Sequence, residues 1–300
     1  LCLLGAIRVS ARSIPMLRSR TIETVAVFAV FLPGSMGLIG AQNTAVGMLL
    51  LALAWDALAR GTRGGDFACG VWLGLWLFKP QYPLILVACL IAARRWAVVG
   101  GFSAVACAYY AIGCLVMDWS WPWTWAAAVF DFAAIDALFE NNFPVSIQGS
   151  GLFQWLAGVW GGAGGPGEAI SHVTYWIAGA VFLWLLWKFA SVARGDEAPG
   201  QGRLLAWLDV AVPAMLLVSP HSHFYDCGLC LFPVARRLRF PDDRSAWWVL
   251  GALMGVDVLT LLRPLFPFQP LVIIPLGAMM VLLRRIDPLP GPPKWASCQR

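Results

Sequence analysis

The stretch WAVVGGFSAVACAYYAIGCLVM, Trp96 to Met117, contains no charged residue and no proline. A helix needs roughly 20 consecutive apolar residues to cross about 30 Å of hydrocarbon, and this run has that length. HVTYWIAGAVFLWLLWKFASVA, His172 to Ala193, repeats the pattern with Lys188 as its one charge. Working outward, the whole 300-residue chain is 60% hydrophobic and 12% charged, whereas an ordinary globular chain is roughly a quarter charged. Its mean hydropathy is +0.72. These features predict an all-α polytopic membrane protein, a single multi-pass membrane domain over 1–300. They exclude a disordered chain, a nucleic-acid binder and a secreted disulfide scaffold.

In such a protein the placement of basic residues matters more than the net charge of +5, because cytoplasmic loops retain Lys and Arg. The cations cluster at Arg8 to Arg20, Arg60 and Arg63, Arg94 and Arg95, Lys188 to Arg203, Arg236 to Arg244 and Arg284 to Arg300. If all these clusters are cytoplasmic, only Lys79 and Arg263 are left over. Asp118 to His172 holds no Lys or Arg but carries Asp118, Asp131, Asp136, Glu140 and Glu168. It is expected to be an extracytoplasmic loop, 118–172. The loop opens with the aromatic run WSWPWTW, suited to the headgroup level. Trp125, Val129, Phe132 and Asp136 then recur at helical spacing, as in an interfacial amphipathic helix or a loop helix packed on the bundle.

Asp66 and Arg94 both belong to the basic side, yet only about 27 residues separate them, broken by KPQYP at Lys79 to Pro83. Two segments of about 12 residues reach about 18 Å each, too short for two crossings. A re-entrant helical pair over 66–94 is expected, with Lys79 at its tip. The ten or so residues from Asp226 to Arg236 are likewise too few for a span. Leu1 to Ile7 is also too short to cross, and the chain is expected to be part of a longer protein. Seven of the eight cysteines lie in apolar runs, where Cys acts as a small hydrophobe. The pair Cys227 and Cys230 has redox spacing but reads as packing.

Ionisable groups at membrane depth are costly and point to function, or to structural pairing. Lys79, a lone cation beside a proline-broken tip, suits the neutralisation of a phosphate, or snorkels or pairs structurally. His221, His223 and Asp226 concentrate two of the three histidines in SPHSHFYD, Ser219 to Asp226. They suit hydrogen bonding to a phosphate or sugar hydroxyl, or proton transfer, against a capped structural turn. With no third strong ligand cluster nearby, neither a metal nor another cofactor is expected. Gln42 and Asn43, in the GAQN turn, could bind sugar hydroxyls or cap the helix from Thr44. Asn142 and Gln148, in ENNFPVSIQGSG, have the same polar capacity. Arg263 is a further candidate for a phosphate, and Asp209 and Asp257 read as structural, paired with Arg263 or another partner.

In order along the chain, GAQN, the glycine-rich GVWLGLWLFKP, the RRW at Arg94 to Trp96, NNFPVSIQG and SPHSHFYD resemble glycosyltransferase family 87 over about 21–237. This family includes bacterial polyprenyl-phosphate-mannose-dependent mannosyltransferases. The resemblance implies a GT-C-like helical bundle in the bacterial inner (plasma) membrane. It implies hexosyl or mannosyl transfer from a polyprenyl-phosphate sugar donor to a lipid or glycan acceptor on the extracytoplasmic side. It also implies a carboxylate general base in a first outer loop, which would precede residue 1. A transporter or flippase of lipid-linked sugars, and a non-catalytic assembly protein, are the alternative classes.

Overall fold

A computed structural model describes residues 1–12, 22, 43–136, 167–194, 201–219, 222–237, 272–284 and 286. The described residues form an all-α protein. The elements are α1 (Cys2–Ser10), α2 (Thr44–Ala59), α3 (Arg63–Leu75), α4 (Gln81–Ala92), α5 (Trp96–Val116), α6 (Trp121–Asp136), α7 (Gly167–Arg194) and α8 (Gln201–Val218). A 3-10 helix, Phe224–Cys230, α9 (Leu231–Arg237) and α10 (Ile273–Arg284) follow.

Three of these helices are long and apolar enough to cross a membrane, Trp96–Val116, Val173–Arg194 and Gln201–Val218. They differ in what they touch. On α8, 13 of 18 residues are buried, Leu204 and the run from Ala206 to Leu217. It is the central helix, packed against α2, α4, α7, α10 and the 3-10 helix. On α5 only Val98 and Gly101 are buried, and Tyr110, Ile112, Leu115 and Val116 point outward. Val173, Tyr175, Trp176, Leu183 and Trp187 of α7 do the same. An apolar surface this extensive would be a liability in water, and here it is the face offered to lipid.

Two short helices, α3 (Arg63–Leu75) and α4 (Gln81–Ala92), are of 13 and 12 residues. A turn through Trp76 to Pro80 joins them. Thr62 caps α3 by accepting a hydrogen bond from Gly65 N–H at 3.0 Å. Pro80 at the N-cap of α4 and Pro83 within its first turn cost no helical hydrogen bond, because those N–H groups have no partner inside the helix. The pair is held by α3 packing closely on α5. A Cβ on Gly70 would collide with Val98 O, and one on Gly101 with Phe67 O. A Cβ on Gly74 would lie 2.7 Å from Val105 Cβ. Small residues at this crossing let the two backbones touch, which substitutes for the hydrophobic drive that lipid does not supply.

Arg12, Arg60 and Arg95, from three of the basic clusters, meet carboxylates on either side of the α2–α3 connection. Arg12 and Arg60 both pair with Asp56, at 3.5 and 2.9 Å. Arg95 pairs with Asp66 at 2.7 Å and also donates to Gln201 Oε1 at 3.3 Å. The short α1 lies against α2 with Ala6 and Ile7 fully buried. A helix, α6, occupies Trp121–Asp136. α7 starts at Gly167, so the last residues of the expected 118–172 loop are helical. After Asp226, Leu229 to Phe232 and Val234 are buried in the bundle, and Cys227 and Cys230 are buried thiols. Most of the loop that includes Asn142 and Gln148, and the GAQN turn before Asn43, lie outside the described residues.

The α3–α5 crossing should not tolerate added volume. Gly70→Ala and Gly101→Ala are each expected to cost about 2 kcal/mol or more, read as lowered thermal stability of the detergent-solubilised protein. Gly179→Ala, with open space around its Cβ position, is the control expected to leave stability unchanged or slightly raised.

Candidate functional site

The centre of the candidate site is the carboxylate of Asp226, buried to 1% exposure on the first turn of the 3-10 helix. Three segments distant in sequence donate to it. Lys79 Nζ, from the turn between α3 and α4, approaches Oδ1 at 2.7 Å. Thr44 Oγ1, at the start of α2, donates to the same oxygen at 2.9 Å. Tyr82 OH, in the first turn of α4, donates to Oδ2 at 2.7 Å. The His223 backbone N–H adds a longer contact to Oδ2 at 3.4 Å, as an N3 carboxylate does when it reaches back to its own N-cap. A carboxylate offers about four lone-pair positions, and four donors occupy them. Asp226 is therefore an anchor for its neighbours rather than an acceptor open to an incoming hydroxyl.

Local sequence explains each placement. Lys79 N–H bonds Trp76 O at 3.0 Å and Tyr82 N–H bonds Lys79 O at 3.3 Å, so the tip is a compact turn carrying Lys79 and Tyr82 toward one partner. Trp76 is buried and its indole occupies the space a side chain at position 47 would need, 2.8 Å from a Cβ built on Gly47. That contact seats the tip against α2. Trp76 and Tyr82 pack with ring centroids 5.8 Å apart.

Lys79 is 14% exposed and spends one of its three N–H donors on Asp226. The ammonium also lies 4.9 Å from the Tyr225 ring centroid and 5.9 Å from that of Tyr82, within cation–π range. The Tyr225 ring stacks on His223, centroids 5.4 Å apart. The imidazole of His223 thus belongs to the same cluster as Lys79, linked through Tyr225. Asn43 stands next to Thr44 at the N-cap of α2, but its side chain makes no cap hydrogen bond. Its Oδ1 is buried and accepts nothing among the described residues.

Of the residues singled out from sequence, Lys79, Asn43, His223 and Asp226 come together here. Gln42 and His221 lie outside the described residues, one and two positions along the chain from members of the cluster. Asn142, Gln148 and Arg263 also lie outside the described residues. Sequence reasoning missed Tyr82, Thr44 and Tyr225. Tyr82 had a visible signal, a phenol three residues beyond the lone lysine in an otherwise apolar helix. Thr44 had none, because its role requires Asp226 from 182 positions away.

A second buried ion pair is separate from this cluster. Asp209, fully buried on α8, accepts from Trp55 Nε1 at 3.0 Å and pairs with Arg236 at 3.4 Å. The Arg236 guanidinium lies over the Trp55 ring, 4.0 Å from its centroid. The partner of Asp209 in the structure is thus Arg236, which ties α8 to α2 and α9.

Residues 1–220 match the profile of glycosyltransferase family 87. The matched stretch includes Thr44, Lys79 and Tyr82 and stops just before the His221 to Asp226 segment. No curated protein and no solved structure gives a significant match.

Removing Asp226 would leave a mostly buried ammonium without its counter-charge. Asp226→Ala is expected to cost about 3–5 kcal/mol, seen as a fall in thermal stability of the purified protein. The double variant Lys79→Met, Asp226→Leu should recover much of that loss. Equal stability of wild type and Asp226→Ala would mean that the pair does not hold the three segments together.

Proposed function

Because the chain belongs to glycosyltransferase family 87 and is a membrane glycosyltransferase, we propose that it moves a hexosyl group, mannosyl-like, from a polyprenyl-phosphate sugar to a lipid or glycan acceptor. In the reaction the bond from the anomeric carbon to the phosphate oxygen breaks. A bond from that carbon to the acceptor oxygen forms, the acceptor proton passes to a base, and polyprenyl phosphate departs. The departing phosphate needs a positive field in a site of low dielectric.

The observation that carries this reading is the arrangement at Lys79. Its ammonium is fixed by Asp226, Tyr225 and Tyr82 at the tip of a broken helical pair, yet keeps donors to spare and a partly open side. Lys79 is assigned to the donor phosphate, and His223, with His221, to hydrogen bonding of the phosphate or to proton transfer. Asn43 Oδ1, buried without a donor among the described residues, is suited to a sugar hydroxyl, and Gln42, Asn142 and Gln148 are assigned the same role. Arg263 is assigned to a phosphate. Asp226, with its acceptor positions filled, positions Lys79, and the general base is assigned to another carboxylate.

Sidedness follows from charge. Arg63 starts α3 at the basic end, and Lys79 lies past its other end, about 20 Å away along the helix. With basic loops retained in the cytoplasm, transfer takes place on the extracytoplasmic side of a bacterial inner (plasma) membrane that the chain crosses several times. The paired helices 66–94 enter and leave on the same side as a re-entrant hairpin.

The test uses the full protein in nanodiscs with a labelled polyprenyl-phosphate sugar. Lys79→Met is expected to lower kcat/KM by about 100-fold or more, as removal of an oxyanion-stabilising group does. His223→Ala should lower it by about 100-fold if the imidazole moves a proton. Membrane insertion should be unchanged in both. Wild-type rates from both variants would overturn the site assignment.

A further inference from the structure

At the opposite end of α3 from Lys79, a cleft of about 760 Å³ opens between the starts of α3 and α5, lined by Arg63, Phe67, Arg94, Arg95, Trp96 and Gly100 among others. Its three guanidinium groups are not equivalent. Arg95 is engaged by Asp66 at 2.7 Å and by Gln201 at 3.3 Å. Among the described residues Arg63 and Arg94 have no carboxylate partner, and both are exposed. The one acid in the lining is thus already matched, and among the described residues the cleft keeps two cations without a carboxylate.

Arg94 sits where another residue would sit more comfortably. Its N–H bonds Ile91 O at 2.8 Å and the next N–H bonds Leu90 O at 2.9 Å, the paired bonds that close a helix with a left-handed residue. Its φ is +59°, and glycine is the usual occupant of that position because it has no Cβ. The chain places a guanidinium there, at the rim of the cleft.

The remaining wall is apolar. Phe67, on the first turns of α3, is 46% exposed and Trp96, which starts α5, is 63% exposed, and the outward face of α5 beyond them is apolar. Trp at the end of a spanning helix belongs at the headgroup level. We propose that this cleft binds the headgroup of an anionic phospholipid, its phosphate bridging Arg63 and Arg94 and its acyl chains running along α5. A guanidinium fork matches phosphate oxygens in pairs, and basic pockets between spanning helices are known to hold such headgroups. A soluble phosphate would use the two arginines but would gain nothing from Phe67, Trp96 and the apolar surface beyond them. This is a site apart from the Asp226 cluster, and it does not depend on the sugar-transfer reading.

The test is lipid binding to the purified full chain, followed by native mass spectrometry in titrations with phosphatidylglycerol or with phosphatidylcholine of the same acyl chains. Phosphatidylglycerol should bind preferentially. Arg63→Gln with Arg94→Asn should weaken its binding by about 30-fold and that of phosphatidylcholine, whose phosphate is offset by choline, by far less. Gly64→Glu gives an independent variant, since a side chain there meets open space and an acid in the first turn suits the helix dipole. It should also abolish the preference, and it carries the test if the double variant melts early. Equal binding of the two lipids by the wild type would overturn the proposal, as would undiminished phosphatidylglycerol binding in a folded variant. Displacement of phosphatidylglycerol by millimolar inorganic phosphate would also overturn it, in favour of a soluble anion.

Discussion

A single buried carboxylate ties together parts of this protein that lie up to 182 positions apart in sequence. Asp226 receives donors from the start of α2, from the tip between α3 and α4, from α4 itself and from its own helix start. An anion removed from water to this degree is tolerated only when its lone pairs are satisfied. The converse constraint falls on the surroundings, since Thr44, Lys79 and Tyr82 must each be delivered within hydrogen-bonding distance at once. Buried ion pairs contribute little net stability over a well-packed apolar replacement. Their value here is positional, because one geometry satisfies all four donors and few others do.

That geometry depends on backbone contact elsewhere. α3 and α4 are too short to reach across a bilayer, and they would drift without a partner. The glycines at 70, 74 and 101 bring α3 onto α5 at backbone distance, and the Trp76 indole fills the space left by Gly47. The tip is therefore held from both sides, by small residues at its base and by an aromatic plug near its end. A proline-interrupted hairpin becomes a rigid support for one ammonium group. The peripheral α5 and α7 meanwhile turn apolar faces outward, and α8 runs through the middle with Asp209 satisfied by Trp55 and Arg236.

On the reading proposed for it, the cluster separates two duties that a list of polar residues would blur. Asp226 holds its neighbours, and Lys79, with the Tyr225 and His223 rings beside it, forms the part able to meet a substrate. In the proposed transfer, fixing a cation before the reaction would spare its reorganisation when charge develops on the leaving phosphate, and this is where electrostatic catalysis gains most.

Much of this was legible in the chain alone. The long apolar runs at 96–117 and 172–193 and the clustering of cations point to a helical membrane protein, because a helix satisfies its own backbone hydrogen bonds across such lengths of hydrocarbon. The shortness of 66–94 and its KPQYP break determine a helical pair with Lys79 at the tip. The concentration of histidines beside Asp226 marks a second segment of interest. What the chain could not reveal is that these two segments meet, that Thr44 and Tyr82 complete the set, or that Asp209 chooses Arg236. Helix periodicity and hydropathy report on contacts a few residues apart, whereas the Lys79 and Asp226 pairing spans 147 positions. Only the packing of α2, α4 and α8 around a common interior brings such groups together, since the cost of leaving any one of them unpaired there is borne by the whole arrangement.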